Sequence, residues 1–420
     1  PPPTDVSPPD SVSPRDFQDG SDQAKTSTTV ALPATISDAA AKLGVRVVTR
    51  TVESDNAPQN TVYLDSRHVT TSGTVRSDVL SVIRSIPNMA LVLDRTSFSS
   101  PGLKTLKQLQ TLSGLSLRHT PLTGDGVGEL KEFVKLRWID LRNTQVTFEA
   151  TLALFLNTSL ESIQFPWGHL QPDEIRLNQR CTDSNVRQLS AIPAASIRSL
   201  NLADSQISDT GLADLRRLTR LESLDLSGTS VTDSGLASVA AFSKLAQLNL
   251  ADTSISDHGL ASIAPLANLA DLDLADTRIT DAGVAHLVPC RKLTRLVLSG
   301  TRITGAGLEQ LTAAKDLVEL EISRTEVTGN ELSVLASFTK LNLLGLDDIP
   351  LITEDLVPIC RTLSLRGLSL ANTDLDDSVL SLLSKQQQLQ SLILSGCPIT
   401  SPGLVPLTNA PALTALWLDH

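Results

Sequence analysis

The sequence predicts an α/β solenoid, a right-handed horseshoe with parallel strands on the concave face and short helices on the convex face. Three observations predict it. A leucine or isoleucine recurs every 24 residues from Leu200 to Leu416, and a second one follows two residues after each. The same interval separates two upstream pairs, which begin at Leu115 and Ile139. A helix start follows each pair, so a unit buries its apolar face only by stacking on its neighbours.

The unit around Leu248 shows how each repeat is expected to fold. Residues 245–250 alternate apolar and polar side chains, which predicts a short strand with one buried face. Ser256 is then expected to cap a helix, and Asp257 favours the positive end of the helix dipole. Apolar residues follow at helical spacing, at Leu260, Ile263 and Leu266. Each unit is therefore predicted as a strand, a turn, a helix and a loop.

A threonine recurs in most units where the strand turns into the loop, as at Thr253 and Thr277. We expect its hydroxyl to face inward and to bond backbone donors without a partner, because such a buried group costs ~1–3 kcal/mol. Stacked units would then share a continuous ladder of hydroxyl groups. In one unit Ile349 takes the place of the threonine, so the turn at residues 347–350 is expected to be irregular.

An aspartate recurs at the expected helix start of four consecutive units, at Asp209, Asp233, Asp257 and Asp281. A row of carboxylates of this kind could be imagined to hold calcium ions. Stabilisation of the first helical turn explains the row better, because a negative charge is favourable at the positive end of a helix dipole.

The motif L-x-x-L-x-L followed by I-T-D-x-G-L is near-complete at Leu269–Leu287, and it resembles the leucine-rich repeat family from about residue 60 to 420. The closest resemblance is to the bacterial, planctomycete-like secreted or anchored kind. The T-D-x-G-L element is also similar to the cysteine-containing subclass of F-box adaptor proteins. That subclass has a cysteine where most units here have threonine. The resemblance implies a non-catalytic scaffold that binds protein or peptide on its concave face.

Two alternative functions stay open. One is a substrate adaptor of a ubiquitin-ligase-like complex, which the T-D-x-G-L element alone suggests. The other is the sensor part of a larger receptor enzyme, whose catalytic domain would lie outside this segment. Neither a histidine pair with metal-ligand spacing nor a P-loop or nucleophile motif occurs in the sequence. We therefore expect no enzyme activity and no cofactor.

The sequence divides into three parts. Residues 1–33 are rich in Pro, Ser and Asp and are predicted to be a disordered tether. Residues 34–60 are predicted to be an N-terminal cap of a helix, with Ser37 or Asp38 as N-cap and Gly44 as its stop, and a strand. Residues 61–420 are predicted to be the repeat array, with an irregular island at about 165–195. We also expect that a signal or anchor precedes residue 1 and that further chain follows the last strand.

The composition restricts the partners. A net charge of −11 argues against nucleic acid, which needs clustered lysine and arginine. No apolar run is long enough to cross a membrane, so no membrane insertion is expected within this segment. The four cysteines show no paired spacing, and Cys290 falls where other units have large apolar residues. We expect a monomer that is extracytoplasmic or associated with the cell envelope, with a cytoplasmic location as the alternative.

Two surfaces of the predicted concave face are candidates for partner binding. The arginine–tryptophan patch lies near the N-terminal end and consists of Arg118, Arg137, Trp138, Asp140 and Arg142. The island beside it contributes Trp167 and His169. The acidic stripe lies in the middle of the array and consists of Asp225, Asp271, Asp273, Glu319 and Glu321.

Tryptophan and arginine are enriched where proteins meet, and an acidic tract suits a basic partner. The alternative interpretation is that both surfaces are the solvated side of a sheet, which must be polar somewhere. The island has a similar alternative, as a tolerated insertion that buries Trp167.

Overall fold

The computed structural model describes residues 32–51, 58–156, 160–193 and 196–419. The predicted tether, residues 1–33, lies outside the described residues apart from its last two. Within the described part, eighteen strands form one open sheet in which each strand pairs with the next strand along the chain. Helices follow the strands and form a second wall, and the apolar core lies between the walls. The predicted solenoid is thereby confirmed.

The strands are β1 (Arg46–Thr51), β2 (Pro58–Tyr63), β3 (Met89–Val92), β4 (Leu112–Ser116), β5 (Trp138–Asp140), β6 (Ser162–Phe165), β7 (Gly168–Leu170), β8 (Glu174–Leu177), β9 (Ser199–Asn201), β10 (Ser223–Asp225), β11 (Gln247–Asn249), β12 (Asp271–Asp273), β13 (Arg295–Val297), β14 (Glu319–Glu321), β15 (Leu343–Gly345), β16 (Gly367–Ser369), β17 (Ser391–Ile393) and β18 (Ala415–Trp417). The α-helices are α1 (Ala34–Lys42), α2 (Ser77–Ile83), α3 (Ser100–Leu106), α4 (Gly124–Val127), α5 (Phe148–Leu156), α6 (Asp183–Gln188), α7 (Asp209–Asp214), α8 (Asp233–Leu236), α9 (Asp257–Ile263), α10 (Asp281–Val284), α11 (Gly305–Leu311), α12 (Val357–Thr362) and α13 (Ser378–Leu383). Short 3₁₀-helices complete the second wall, at Ser66–His68, Gly128–Glu132, Leu189–Ala191, Val239–Ala241, Ala285–Leu287, Gly329–Ser337, Thr353–Leu356 and Pro402–Asn409.

Neighbouring parallel strands stack in register, so each leucine lies beside its equivalent in the next unit. Leu224 of β10, for example, pairs with Leu248 of β11. From Leu200 to Leu394, no residue of the two leucine rows is more exposed than the 3% of Leu368. The 24-residue period therefore sets the core, as the sequence predicts, because equal spacing along the chain places equal residues at equal depth.

The N-terminal part differs from the sequence prediction in one detail. Helix α1 begins at Ala34 with Pro33 as its N-cap, so the predicted caps Ser37 and Asp38 are wrong. The Pro33 carbonyl accepts the backbone N–H groups of Ile36 and Ser37, which starts the helix one turn earlier. Strand β1 pairs antiparallel with β2, and β2 then pairs parallel with β3. The hairpin thus continues directly into the repeat sheet, and β2 spans the predicted boundary at residue 60.

At the predicted irregular island the parallel array is interrupted, and residues 162–177 form three strands there. Strands β6, β7 and β8 form an antiparallel meander, and β8 resumes parallel pairing with β9. Leu170, Ile175 and Leu177 of this meander are buried, so the extra residues extend the core. Gly168 permits the tight return, because a Cβ there would lie 1.9 Å from the Arg176 carbonyl oxygen. Helix α6 follows with a regular capping box at its start.

The threonine row faces inward, but its hydroxyl groups bond in the direction opposite to the prediction. Thr277 Oγ1 donates to the Leu274 carbonyl oxygen three residues earlier, at 2.6 Å. The same bond closes the turn in eight other units with threonine at this position. The Thr96 hydroxyl also accepts the backbone N–H of Phe98, at 3.3 Å. Each hydroxyl therefore stays within its own turn and does not form the predicted continuous ladder. A link between units occurs at Thr373 and Cys397, where the oxygen and sulfur are 3.2 Å apart.

The turn with Ile349 is regular, contrary to the sequence prediction. Asp348 has a φ of 57°, which matches the left-handed residues Asp252 and Asp276 of other units. Ile349 is buried and fills the position of the threonine. The turn keeps its shape because its backbone bonds to the next unit are unchanged, as in Asp348 N–H to Ala371 O at 2.9 Å.

The repeated aspartate joins one unit to the next. Ser256 is the N-cap of α9, as predicted. The carboxylate of Asp257, however, accepts the backbone N–H of Thr280 at 2.8 Å and its hydroxyl at 2.6 Å. The same pair of bonds runs from Asp209 to Thr232. The recurring spacing of aspartate and threonine therefore reflects a bond across the interface between helices, in addition to any effect on the helix dipole.

Candidate binding surface on the strand face

Three rows of side chains run along the strand face. They are the residues just before the first leucine of each pair, between the two leucines, and just after the second. In β5, Trp138 and Asp140 lie on either side of the buried Ile139. Register places Trp138 beside Ser162 and Asp140 beside Gln164 in the next strand. Because strands lie ~4.8 Å apart, side chains in one row are close enough to interact along the whole array.

Several predicted site residues support the backbone of their own strand. Asp140, Asp225 and Asp273 each accept the backbone N–H of the residue two positions later, at 3.0 Å. Asn201 and Asn249 make the same bond in their units. These N–H groups come after the strand has left its ladder and would otherwise lack a partner. The carboxylates of Asp140, Asp225 and Asp273 therefore stabilise the strand ends. This favours the interpretation that they belong to the solvated side of the sheet.

The arginine–tryptophan patch is a set of ion pairs more than a free basic surface. Arg142 binds Asp140 with two nitrogen atoms, at 2.7 Å and 3.1 Å, and the hydrogen bond to Asp140 raises the pKa of Arg142. Arg118 Nε lies 3.9 Å from Asp140 Oδ2. Arg137 pairs with Glu161 at 2.8 Å, just before the strand begins. The predicted basic character is therefore largely compensated.

Trp138 is half-buried and lies flat against the neighbouring strand. A Cβ on Gly114 would come within 2.2 Å of Trp138 Cε2, so the indole ring occupies the space that the glycine leaves. One face of the ring is thereby packed and part of the side chain stays accessible. A fixed, partly exposed indole is a suitable anchor for a partner, since little conformational freedom is lost on binding.

The island contributes two side chains with different roles. Trp167 packs on the core, with its ring centroid 6.1 Å from Phe148 and 6.2 Å from Phe165. His169 lies beside Gln164 and Arg176 in the meander and bonds Ser162 Oγ at 2.8 Å. Burial lowers the pKa of His169, the carboxylates of Glu174 and Asp140 oppose this, and the charges of Arg176 and Arg142 add to the lowering. The structure thus brings His169 to the Asp140–Arg142 pair.

The sequence prediction left two neighbours of this cluster without a role. Arg176 of β8 faces the same side of the meander as His169, and Gln164 lies between Asp140 and His169. The alternation of Leu170, Ile175 and Leu177 is the signal that could have placed them, because it predicts strands with these polar residues on the opposite face.

The acidic stripe is interrupted by an arginine. Arg295 of β13 bonds Asp271 at 2.9 Å and Glu319 at 2.7 Å. Burial would lower the pKa of Arg295, but the hydrogen bonds to these two carboxylates raise it above its ordinary value. Arg295 therefore compensates part of the negative charge of the predicted acidic stripe, because it stands in register between Asp271 and Glu319.

Glu321 is the member of the stripe with the most unusual environment. Its carboxylate lies over Gly345 of the next strand, where any side chain would collide with it. Burial and the neighbouring carboxylates of Asp347 and Glu319 together raise the pKa of Glu321 to about 7, although Arg295 opposes them. Burial also raises the pKa of Asp273, whereas the bond from the Ala275 N–H lowers it. A carboxyl group that titrates near neutral pH therefore lies on the strand face.

The remaining chemistry of the described residues is modest. Cys290 is buried in the core, as predicted, and the four cysteines carry free thiols. Burial raises the pKa of the Cys181 thiol to about 12. Among the residues that the structure describes, no cluster of His, Cys, Asp or Glu has the arrangement of a metal site. None of the described helices combines the length and apolar character that crossing a membrane requires.

The Leucine Rich repeat family model matches residues 194–215, 218–240, 290–311 and 385–407. The solved mouse RP105/MD-1 complex is similar at 17% identity, with 81% of this chain and 66% of that chain covered and a TM-score of 0.51. A leucine-rich repeat protein of Leptospira interrogans is similar at 17% identity, with 84% of this chain and 94% of that chain covered and a TM-score of 0.50.

An internalin from Listeria monocytogenes shares 19% identity over 91% of this chain and 94% of that chain, with a TM-score of 0.44. The sequence matches none of the curated proteins. The repeated motif, the stacked strands and the family match agree, and the chain belongs to the leucine-rich repeat family.

Proposed function

We propose that this chain is a non-catalytic scaffold that binds a protein or peptide on its strand face, with Trp138 as the anchor. The observation that carries the proposal is the half-buried indole of Trp138, held against Gly114 beside the Asp140–Arg142 ion pair. Leucine-rich repeat proteins typically bind other proteins, and solenoids offer extended concave surfaces for this purpose. His169 and Arg176 extend the same surface along the meander.

The rest of the proposal concerns the partner and the setting. The patch contains both charges in paired form, so it suits a partner with mixed polar groups around an apolar centre. The net charge of −11 argues against nucleic acid. We propose that the chain acts as a monomer in an extracytoplasmic or cell-envelope setting, with residues 1–33 as its tether.

The test begins with a displayed library of random peptides selected on the wild-type chain. Dissociation constants of the recovered peptides are then measured for wild type and for Trp138→Ala with Arg142→Ala. We expect the double variant to weaken binding at least tenfold, because truncating an aromatic anchor and its arginine commonly costs ~2 kcal/mol or more. Because Trp138 packs on Gly114 and Asp140 is buried, we expect a lower melting temperature as well, so affinities are measured at a temperature at which both proteins are folded.

The matched control is Val134→Ala with Lys131→Ala, which removes one exposed apolar and one basic side chain at the helix wall. It should bind the selected peptides like wild type. If the Trp138 and Arg142 variant keeps full affinity while the control loses it, the partner surface is the helix wall and the proposal is wrong.

A further inference from the structure

A cavity of about 380 Å³ lies at the turns that leave three neighbouring strands, β11 to β13, away from the strand-face site. Backbone and side chains from three units line it, namely Asp252, Thr253, Ser254, Asp276, Thr277, Arg278, Gly300 and Arg302. Thr253 and Thr277 bond their own turns through their hydroxyl groups, so the polar groups left to a ligand are Ser254 and the charged side chains.

Two of these residues are arginines at equivalent positions of successive units. Arg278 bridges to Ser256 and Arg302 to Thr280 through the backbone, so the two side chains leave the chain side by side. Both are exposed. Among the described residues neither guanidinium has an ion pair or a side-chain hydrogen bond, unlike Arg295, which has two acidic partners. Two like charges without acidic partners among the described residues thus lie on neighbouring turns.

The acidic residues of the cavity do not neutralise this pair. Asp276 is bound by Arg324, at 3.0 Å, which reaches back over two units. Gly300 lies between them and leaves the path open, because a Cβ there would lie 2.2 Å from Asp276 Oδ1. Two arginines and two aspartates line the cavity, and Arg324, from outside the lining, pairs with Asp276. Arg278 and Arg302 therefore have only the carboxylate of Asp252 to balance them, in a chain of net charge −11.

We propose that this cavity binds a tetrahedral oxyanion, a phosphate or sulfate group, between Arg278 and Arg302. A guanidinium offers a planar fork of N–H donors that fits two oxygens of an anion. One fork saturates a carboxylate, whereas a tetrahedral oxyanion has further oxygens for a second fork. The Ser254 hydroxyl provides one more donor at the cavity wall. The single uncompensated carboxylate, Asp252, opposes the anion.

The test is calorimetric titration of the whole chain at low ionic strength with inorganic sulfate, inorganic phosphate and acetate. We expect sulfate and phosphate to bind at least tenfold more tightly than acetate. Arg278→Gln with Arg302→Gln should weaken sulfate binding at least tenfold. The matched control, Arg220→Gln with Arg291→Gln, removes two exposed arginines elsewhere and should leave it unchanged. Asp252→Asn should tighten sulfate binding several-fold.

Equal binding of acetate and sulfate by wild type, or equal loss in the control pair, would overturn the proposal. If the double-arginine variant does not fold, two measurements still test the proposal. They are the preference of wild type for sulfate over acetate and the effect of Asp252→Asn on sulfate binding. Glucose 6-phosphate tests whether the site prefers a phosphate ester or a free anion. Tighter binding than inorganic phosphate indicates an ester, and weaker binding indicates a free anion. The Trp138→Ala with Arg142→Ala variant should bind sulfate like wild type. The oxyanion site is therefore tested independently of the proposed partner surface on the strand face.

Discussion

At the residue scale, the hydroxyl groups of the threonine row donate to backbone carbonyl oxygens, whereas the sequence predicted that they would accept from backbone N–H groups. Thr277 Oγ1 reaches the Leu274 carbonyl oxygen, while the unpaired N–H groups two residues beyond the strand are bonded by Asn and Asp side chains. At the end of each such strand, threonine thus bonds a backbone carbonyl oxygen, and Asp or Asn bonds a backbone N–H group. Both are buried or half-buried, which makes each bond costly to lose.

Replacing Thr277 with valine tests the role of the hydroxyl. The valine keeps the shape but leaves the Leu274 carbonyl oxygen without its bond, so we expect a loss of about 1–3 kcal/mol in the free energy of unfolding. Chemical denaturation of both proteins measures it. Thr219→Val, at an exposed threonine, is the control and should change little. Equal stability of Thr277→Val and wild type would show that the bond contributes nothing net.

Glu321 gives a prediction about pH. Its pKa is about 7 in the folded protein, because it is buried beside Asp347 and Glu319, and its ordinary value is 4.5. The folded state thus binds a proton more tightly than the unfolded state, so stability falls as pH rises from about 4.5 to 7. Glu321→Gln cannot ionise and should gain about 1–2 kcal/mol over wild type across this range, after allowance for solvent screening.

Denaturation curves at several pH values measure the difference between the two proteins. Glu309→Gln, at an exposed glutamate, serves as the control and should follow wild type at each pH. A constant difference between Glu321→Gln and wild type from pH 4 to 8 would contradict the raised pKa.

At the scale of elements, helices of successive units are joined through the aspartate and glycine of the T-D-x-G-L motif. Asp257 of α9 bonds Thr280 at the start of α10, and Gly283 in the first turn of α10 lies against the same carboxylate. The glycine is required for space here, since a Cβ would lie 2.3 Å from Asp257 Oδ1. The aspartate of one unit therefore contacts the glycine of the next unit across the interface between helices.

A double-mutant cycle tests this contact. Gly283→Ala alone should destabilise by about 1–3 kcal/mol, because the methyl group collides with Asp257. In the background of Asp257→Ala, the same change should be neutral or slightly stabilising, because alanine is a better helix former than glycine by ~1 kcal/mol. Unfolding free energies of the four proteins give the coupling.

Asp374→Ala, at an exposed aspartate, controls for the loss of charge and should not alter the cost of Gly283→Ala. Additive effects of Asp257→Ala and Gly283→Ala would mean that the carboxylate and the glycine do not interact in solution.

At the scale of the whole molecule, the leucine rows and helix starts could be predicted because burial at a fixed period dictates both. The partners of polar side chains could not, since they depend on neighbours one unit away. Arg295 shows this well: its sequence position is ordinary, yet register places it between Asp271 and Glu319. The meander was missed for a similar reason, because the short apolar alternation around Ile175 also suits an irregular insertion.

The reversal of the chain at β7 affects the bend of the horseshoe. A solenoid curves because its helix wall takes more room per unit than its strand wall, and three strands, β6 to β8, lie between helices α5 and α6 where a regular unit has one. The strand wall is therefore longer here by two strand spacings of ~4.8 Å each. The arc therefore relaxes beside Trp138, and the flatter stretch gives a bulky ligand more clearance there than the tighter arc does farther along the array.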